Sequence, residues 1–379
     1  MIGNAPSTPV AVVPTGPAPG GARSLSWLRG VALPLLSLLT ALLFCAALLL
    51  LTGHNPLTVY DALWTGAVTG QSSFPETLVS TIPYILLGLA VAVAFKASLF
   101  NIGVAGQLTT GALGAIWASQ AFPHAPGILL TPWVLLVGAL AGALFAGVAG
   151  LLKVLTGAHE VITTIMQNYV ALYLLQFLVD SGGSLHGHSD IQQSYYLPGG
   201  AFLPIIWSGT RLHAGLILAL VAAALTYVLI WRTTWGFELR AVGLNPLAAR
   251  SAGVSIRRVT LWSMALSGGL AGLAGAIQIV GLQHVLPDSF DTNLAYDAIA
   301  VAIIGGGNPI GIVLAALLLG ALKNGATNME LTAGISGPFV SVIEAAVLFF
   351  VAAPVIIRWL YFRWGRRRAA ASPPRRAAA

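Results

Sequence analysis

The chain has 379 residues, 57% of them hydrophobic and only 8% charged, against about 25% charged in an ordinary soluble domain. This composition places it among integral membrane proteins. The net charge of +7 does not argue for nucleic acid, because the basic residues flank apolar runs and crowd into the C-terminal RWGRRRAAASPPRR instead of forming an aromatic-interleaved module. The single cysteine, Cys45, sits inside the first apolar run, which leaves no disulfide framework and no cysteine-based metal site.

In chain order, residues 1–22 are rich in Pro, Gly and Ala without helical period and read as part of a flexible arm ending near residue 30. The run at 31–52 is too long for a typical signal-peptide core, and Phe44 before Cys45 argues against lipoprotein cleavage, so it stays as an anchor. Further apolar runs fall at 77–96, 100–120, 130–152, 160–180, 213–231, 258–281, 294–306, 308–323 and 338–357. That makes about ten spans, where each crossing of ~30 Å of hydrocarbon takes about 20 helical residues. Short alternating segments of a barrel are absent. The expected fold is all-α: a polytopic transmembrane helical bundle over 31–358, with a basic tail at 359–379. The runs at 294–306 and 308–323 are short enough to be half-helices joined by a break.

With both termini inside, every Lys and Arg except Arg211 and Lys323 falls on the cytoplasmic side, a strong positive-inside asymmetry. Trp64, Trp117, Trp133, Trp231 and Trp359 lie near span ends, where amphipathic rings favour the interface.

Two polar, glycine-rich interruptions break the apolar pattern: FNIGVAGQ at 100–107 and IIGGGNPIG at 303–311. In hydrocarbon an unsatisfied backbone group costs several kcal/mol, so such stretches must be buried in protein or line a cavity. One occurs in each half of the chain, the pattern of two pseudo-symmetric halves with a transport path between them. Asn101, Gln107 and Asn308 are therefore candidate path residues; the competing reading is that the small residues only let helices approach closely.

On the fifth span Thr163 and Gln167, and likewise Thr164 and Asn168, are four residues apart and form one polar stripe with Tyr169 at its edge. It must face a neighbouring helix or the path. Asp297 and Glu344 are carboxylates within spans, and intramembrane ionisable groups are functional candidates by default.

Between the sixth and seventh spans, residues 232–258 form the largest interior connection. Asn245 can cap a short helix with Pro246 at its first position, and Gly253 suits the far cap. A two-turn helix is marginal alone in water, so docking onto another protein explains it better than a loop lying on lipid headgroups. No G-x-x-x-x-G-K-[ST] sequence occurs, and His159-Glu160 is followed by Thr163 where a zinc-protease helix needs His. No catalytic constellation, metal site or cofactor motif is visible.

Four blocks in order, FKASLFNIGVAGQ (95–107), HEVITTIMQNYVALYL (159–174), LRAVGLNPLAARSAGVSIRRV (239–259) and YDAIAVAIIGGGNPIGIVLAALLLGAL (296–322), resemble the permease subunits of bacterial ABC importers. The branch they are most similar to carries nucleosides and is related to the simple-sugar permeases. The resemblance implies a machine of two permease subunits, a heterodimer or a homodimer, with two cytoplasmic ATPase domains and an extracytoplasmic binding protein. It implies that residues 243–255 fit a groove of the ATPase, with Gly243, Asn245, Pro246, Ala249, Arg250 and Gly253 as the coupling residues. In the family Glu often stands at the position of Ala105 and Asn at that of His159. An ion-coupled secondary transporter of a small polar solute is the alternative, and a membrane scaffold, which has no use for two polar breaks, is a distant third.

Overall fold

The computed structural model describes residues 23–187 and 190–352, with side chains described from Leu36 to Val351. The termini assigned to a flexible arm and a basic tail lie largely outside the described residues. Helix α1 (Arg23–Leu51) already begins within the expected arm. It is followed by α2 (Pro56–Trp64), α3 (Ser73–Lys96), α4 (Val104–Ala121), α5 (Gly127–Thr156), α6 (Glu160–Val179) and α7 (Gly215–Arg232). Short helices α8 (Thr234–Leu244) and α9 (Pro246–Ser251) precede α10 (Ile256–Gln278), α11 (Asn293–Ile304), α12 (Pro309–Ala333) and α13 (Gly337–Ala352). No strand forms among the described residues.

Each expected span has a helix, and among the described residues six helices are long and apolar enough to cross a membrane by length and composition: α3, α5, α6, α7, α10 and α12. Two expectations are corrected. The helix α2 has no counterpart among the expected spans, and α12 does not stop at 323 but runs on to Ala333. The polar KNGATN stretch looks like a span end, yet its amides have internal work to do. Asn324 donates to the carbonyls of Gly66 and Ser73 at 2.7 and 2.8 Å, and Asn328 donates to Ala62 at 2.6 Å. Those carbonyls lie around a π-helical turn at Thr65–Thr69, where the regular hydrogen-bond ladder is interrupted. Of the two short runs, only α11 remains short.

The centre is α3, apolar all round and buried along nearly its whole length, as a helix of that pattern must be. Around it pack α4, α7, α10, α11 and α12. Helices α4, α5 and α10 meet almost backbone to backbone. A Cβ on Gly272 would lie 2.9 Å from the Cα of Gly142 and against the Gly138 carbonyl, and one on Gly111 would strike the backbone of Gly272. Small residues supply this contact where the hydrophobic effect cannot drive helices together. A second, peripheral cluster joins α1, α2 and α13 to α12 through Ala41, Cys45, Val59, Met329 and Ile343. Cys45 is buried and free, as its position in an apolar run implies.

The ends of the bundle differ. At one end, called here the basic end, α8 and α9 follow α7, and Lys96 and Arg240 lie over the ring of Trp231 at 5.6 and 4.6 Å. At the other end the long connection between α6 and α7 is strapped to the residues after α10: Ser194, Leu197 and Leu203 donate backbone bonds to Leu286, His284 and Val280.

His213 belongs to this strap and is buried with its Nδ1 accepting from the Gly215 amide. Burial, and then the neighbouring His284, push its pKa down to about 4. The folded chain thus binds fewer protons than the unfolded chain between that value and the ordinary 6.5. Stability is expected to be full above pH 6.5 and to fall as the pH drops toward 4, by on the order of 3 kcal/mol. Thermal unfolding in detergent across that range checks this. His213→Gln should flatten the profile.

Candidate functional site: a mid-depth polar strip and a basic-end joint

The first interruption is the turn between α3 and α4, and the backbone groups of Ile102 and Gly106 are satisfied by the polar stripe of α6. Thr164 Oγ1 accepts from the Ile102 amide at 3.3 Å. Asn168 Oδ1 accepts from the Gly106 amide at 2.8 Å while its Nδ2 donates to the Ile102 carbonyl at 2.9 Å. The i, i+4 spacing puts both side chains over the start of α4, where helical amides lack intrahelical partners. Gly103 and Gly106 are small because a Cβ on either would stand about 3.0 Å from α6 atoms.

Asn101 and Gln107 are closed inside this turn. Asn101 is 1% exposed and Gln107 is fully buried. Asn101 Nδ2 donates to Gln107 Oε1 and to Ser267 Oγ, both at 2.8 Å; Gln107 Nε2 donates back to Asn101 Oδ1 at 3.0 Å. Ser267 in turn donates to the Ala90 carbonyl at 2.6 Å. Three helices, α3, α4 and α10, are pinned by this relay. Gln167 is turned to α5, donating to the Phe145 carbonyl at 2.6 Å, and Thr164 also donates back to Glu160.

The other candidates lie elsewhere. Asn308 is exposed and caps α12, accepting from the Ile310 amide at 3.1 Å. Gly307 stands beside the Lys96 ammonium, 3.1 Å from a Cβ built on it. Both interruptions therefore lie toward the basic end. Asp297 is half-buried on α11, where it meets the hydroxyl of Tyr84 at 3.3 Å and the ammonium of Lys323 at 3.5 Å. Lys323 also donates to Glu344 at 2.7 Å.

Lys323, expected at the outer end of its span, is thus well inside α12 and in an ion cluster. Sequence reading missed it because α12 was ended at this residue. Paired with Asp297 and Glu344 it becomes a cross-helix cluster that no single span reveals. Tyr84, Asp297, Lys323 and Glu344 come from α3, α11, α12 and α13, and the first, third and fourth lie near the middle of their helices. Asn168, midway along α6, donates to the Tyr296 hydroxyl at 3.4 Å. A polar strip therefore runs Asn168, Tyr296, Asp297, Lys323, Glu344 across four helices at mid-depth. Exposed to lipid tails it would be costly.

At the basic end, Asn245 Oδ1 accepts from the Ala248 amide at 3.0 Å, Pro246 opens α9 and Gly253 follows it with φ +85°. The capping expected from NPLAARSAG is the capping found. Ala249 anchors the helix in the bundle, while Leu244 and Leu247 are 88% and 75% exposed beside exposed Arg250. Helix α8, capped by Thr233, was not foreseen. It fixes the segment to the bundle: a Cβ on Gly243 would strike the Lys96 carbonyl. One residue, Lys96, thus touches the α8–α9 segment through Gly243, shares Trp231 with Arg240 and borders Gly307 of the second interruption.

A bundle of apolar helices with polar breaks and a polar strip at mid-depth defines a multi-pass membrane transport protein. The chain belongs to the family described as the permease component of the branched-chain amino acid transport system, which matches residues 74–366. It is 39% identical to the guanosine ABC transporter permease protein NupP of Bacillus subtilis over 88% of this chain and 96% of the relative. To the nucleoside ABC transporter permease protein NupB of Lactococcus lactis it is 36% identical, over 87% and 92%. A glucose ABC transporter permease protein of Haloferax volcanii is 33% identical, over 84% and 86%. The chain is an ABC transporter permease subunit, not an enzyme, and membership in this family favours the ATP-driven machine over the ion-coupled alternative.

Proposed function

We propose that this chain forms half of the translocation path of an ATP-driven importer of nucleosides, taking substrate from an extracytoplasmic binding protein. The observation that carries the reading is the mid-depth strip, since a charged and amide-bearing strip across four helices has a use only beside an aqueous path or a partner chain. Tyr169 and Tyr296 present half-exposed rings next to Asn168, a combination suited to stacking a base and hydrogen-bonding its edge. Two relatives above 35% identity are named for guanosine or nucleosides, which favours that class over the glucose of the third.

In this reading the basic end is cytoplasmic, both termini lie there, and two ATPase domains engage the α9 tips of two permease subunits. Exposed Leu244 and Leu247 on an otherwise basic tip are apolar anchors in search of a groove. Movement of α9 passes through α8 to Gly243 and Lys96, and from there to Gly307 and the α11–α12 pair that carries Asp297 and Lys323. Of the path candidates, Asn168 and Asp297 stand on the strip; Asn101, Gln107, Thr164 and Gln167 support it from behind, and Asn308 sits at its cytoplasmic end.

Uptake by cells carrying the whole importer tests the substrate class. Labelled guanosine or uridine should accumulate and excess glucose should not compete. Competition by glucose with no nucleoside accumulation would overturn the nucleoside assignment.

A further inference from the structure

Asp297 is held in an unusual way for a carboxylate inside a membrane protein. Its Oδ2 meets the Tyr84 hydroxyl and the Lys323 ammonium, while its Oδ1 takes no hydrogen bond among the described residues. Lys323 does not neutralise it by a close pair; the shorter contact of that ammonium is to Glu344, at 2.7 Å against 3.5 Å. The side chains of Lys323 and Asp297 are 41% and 26% exposed, and Glu344 is the most enclosed of the three at 13%. Glu344 thus holds and orients the Lys323 ammonium, and Asp297 is left with a free oxygen beside a group that still has donors to give.

A carboxylate with a free oxygen accepts a pair of adjacent hydroxyls, and a neighbouring ammonium donates to the oxygen of one of them. Charged acceptors make the stronger class of hydrogen bond. We infer that Asp297 and Lys323 form a specificity-determining site for a vicinal diol, so that the permease itself distinguishes sugars bearing two adjacent hydroxyls from those lacking them. The inference rests on the nucleoside reading, in which the diol is that of the ribose and the base lies toward Tyr296 and Asn168. Tyr84 is a positioning residue: its hydroxyl donates to Asp297 Oδ2 and leaves Oδ1 unengaged. The site asks little of the base, which leaves base selection to the binding protein.

The test is equilibrium binding to the purified permease–ATPase complex without its binding protein, using guanosine and 2′,3′-dideoxyguanosine as probes. Wild type is expected to prefer guanosine by about tenfold or more, the loss expected when hydrogen bonds to a charged group go unmade. Asp297→Asn should bring the two probes within about twofold of each other, because the neutral amide loses the charge-assisted part of the bond. The wild-type comparison stands even where the variant folds poorly. Equal binding of the two probes to wild type, or a preference unchanged in Asp297→Asn, overturns the inference; so does a complex that binds neither probe while the full importer still carries guanosine. An importer that carries no nucleoside at all overturns the functional reading instead.

Discussion

Gly272→Val is expected to leave no recoverable folded protein. Residue 272 lies where α10 crosses α5, and its Cβ would fall 2.9 Å from the Cα of Gly142 and closer still to the Gly138 carbonyl. Backbone offers no rotamer to swing away. Overpacking by a methylene costs roughly 1–3 kcal/mol where side chains can shift, and here the two helices must separate along their length. A Cβ on Gly111 of α4 would in turn strike the Gly272 backbone, so α10 has no room to retreat from α5 on that side. The matched control is Gly147 on α5, where a Cβ would meet nothing within 4 Å. Gly147→Val should give wild-type yield and a single peak on size exclusion in detergent, while Gly272→Val gives aggregate. Equal behaviour of the two would show that the close crossing does not hold the bundle.

Asn101→Leu is expected to destabilise the protein and abolish transport. The change strips partners from Gln107 Oε1, Gln107 Nε2, Ser267 Oγ and the Gly103 amide. Each buried polar group left unpaired costs about 1–3 kcal/mol, and Leu offers nothing in return. Pairing it with Gln107→Leu removes two of the orphans together. The double variant should be more stable than the sum of the single effects predicts, with a coupling of about 1–3 kcal/mol in thermal unfolding. If Asn101 were instead a group that touches the passing solute, the single variant would alter selectivity at unchanged stability, and the double variant would show no recovery.

The contrast between Asn101 and Lys323 explains which parts of this protein are legible from its sequence. Apolar run lengths place nearly every long helix, because burying about 20 residues in hydrocarbon leaves little choice. The cap signals Asn245, Pro246 and Gly253 specify α9 because they act through local backbone bonds. The Thr164 and Asn168 stripe is equally readable as a face, since helical periodicity fixes it. Its target, the amides of Ile102 and Gly106 some 60 residues away in sequence, is tertiary and leaves no local mark. Polar residues inside spans are the harder case. Asn324 and Asn328 resemble a span end, yet they serve carbonyls at the α2–α3 corner. Lys323 resembles a flank, yet it is paired across α11 and α13. Polarity at the membrane shows that a group must be satisfied without showing by what.

The Lys96 joint adds a mechanical point. Gly243, Trp231, Arg240 and Gly307 converge on one lysine at the end of the central helix α3, so under the proposed function a push on α9 has a short route into the bundle. Coupling at a distance needs an element that both sites bias, and α3 reaches from this joint to Tyr84 at the strip.

The most direct measurement is solute uptake by proteoliposomes containing the assembled importer, this permease with the ATPase and binding protein of its system, with ATP enclosed on the α9 side and ionophores collapsing every ion gradient. The account predicts nucleoside accumulation that requires ATP, survives the ionophores and falls to background with Arg250→Glu at the α9 tip. Accumulation that persists without ATP and vanishes with the ionophores would contradict it.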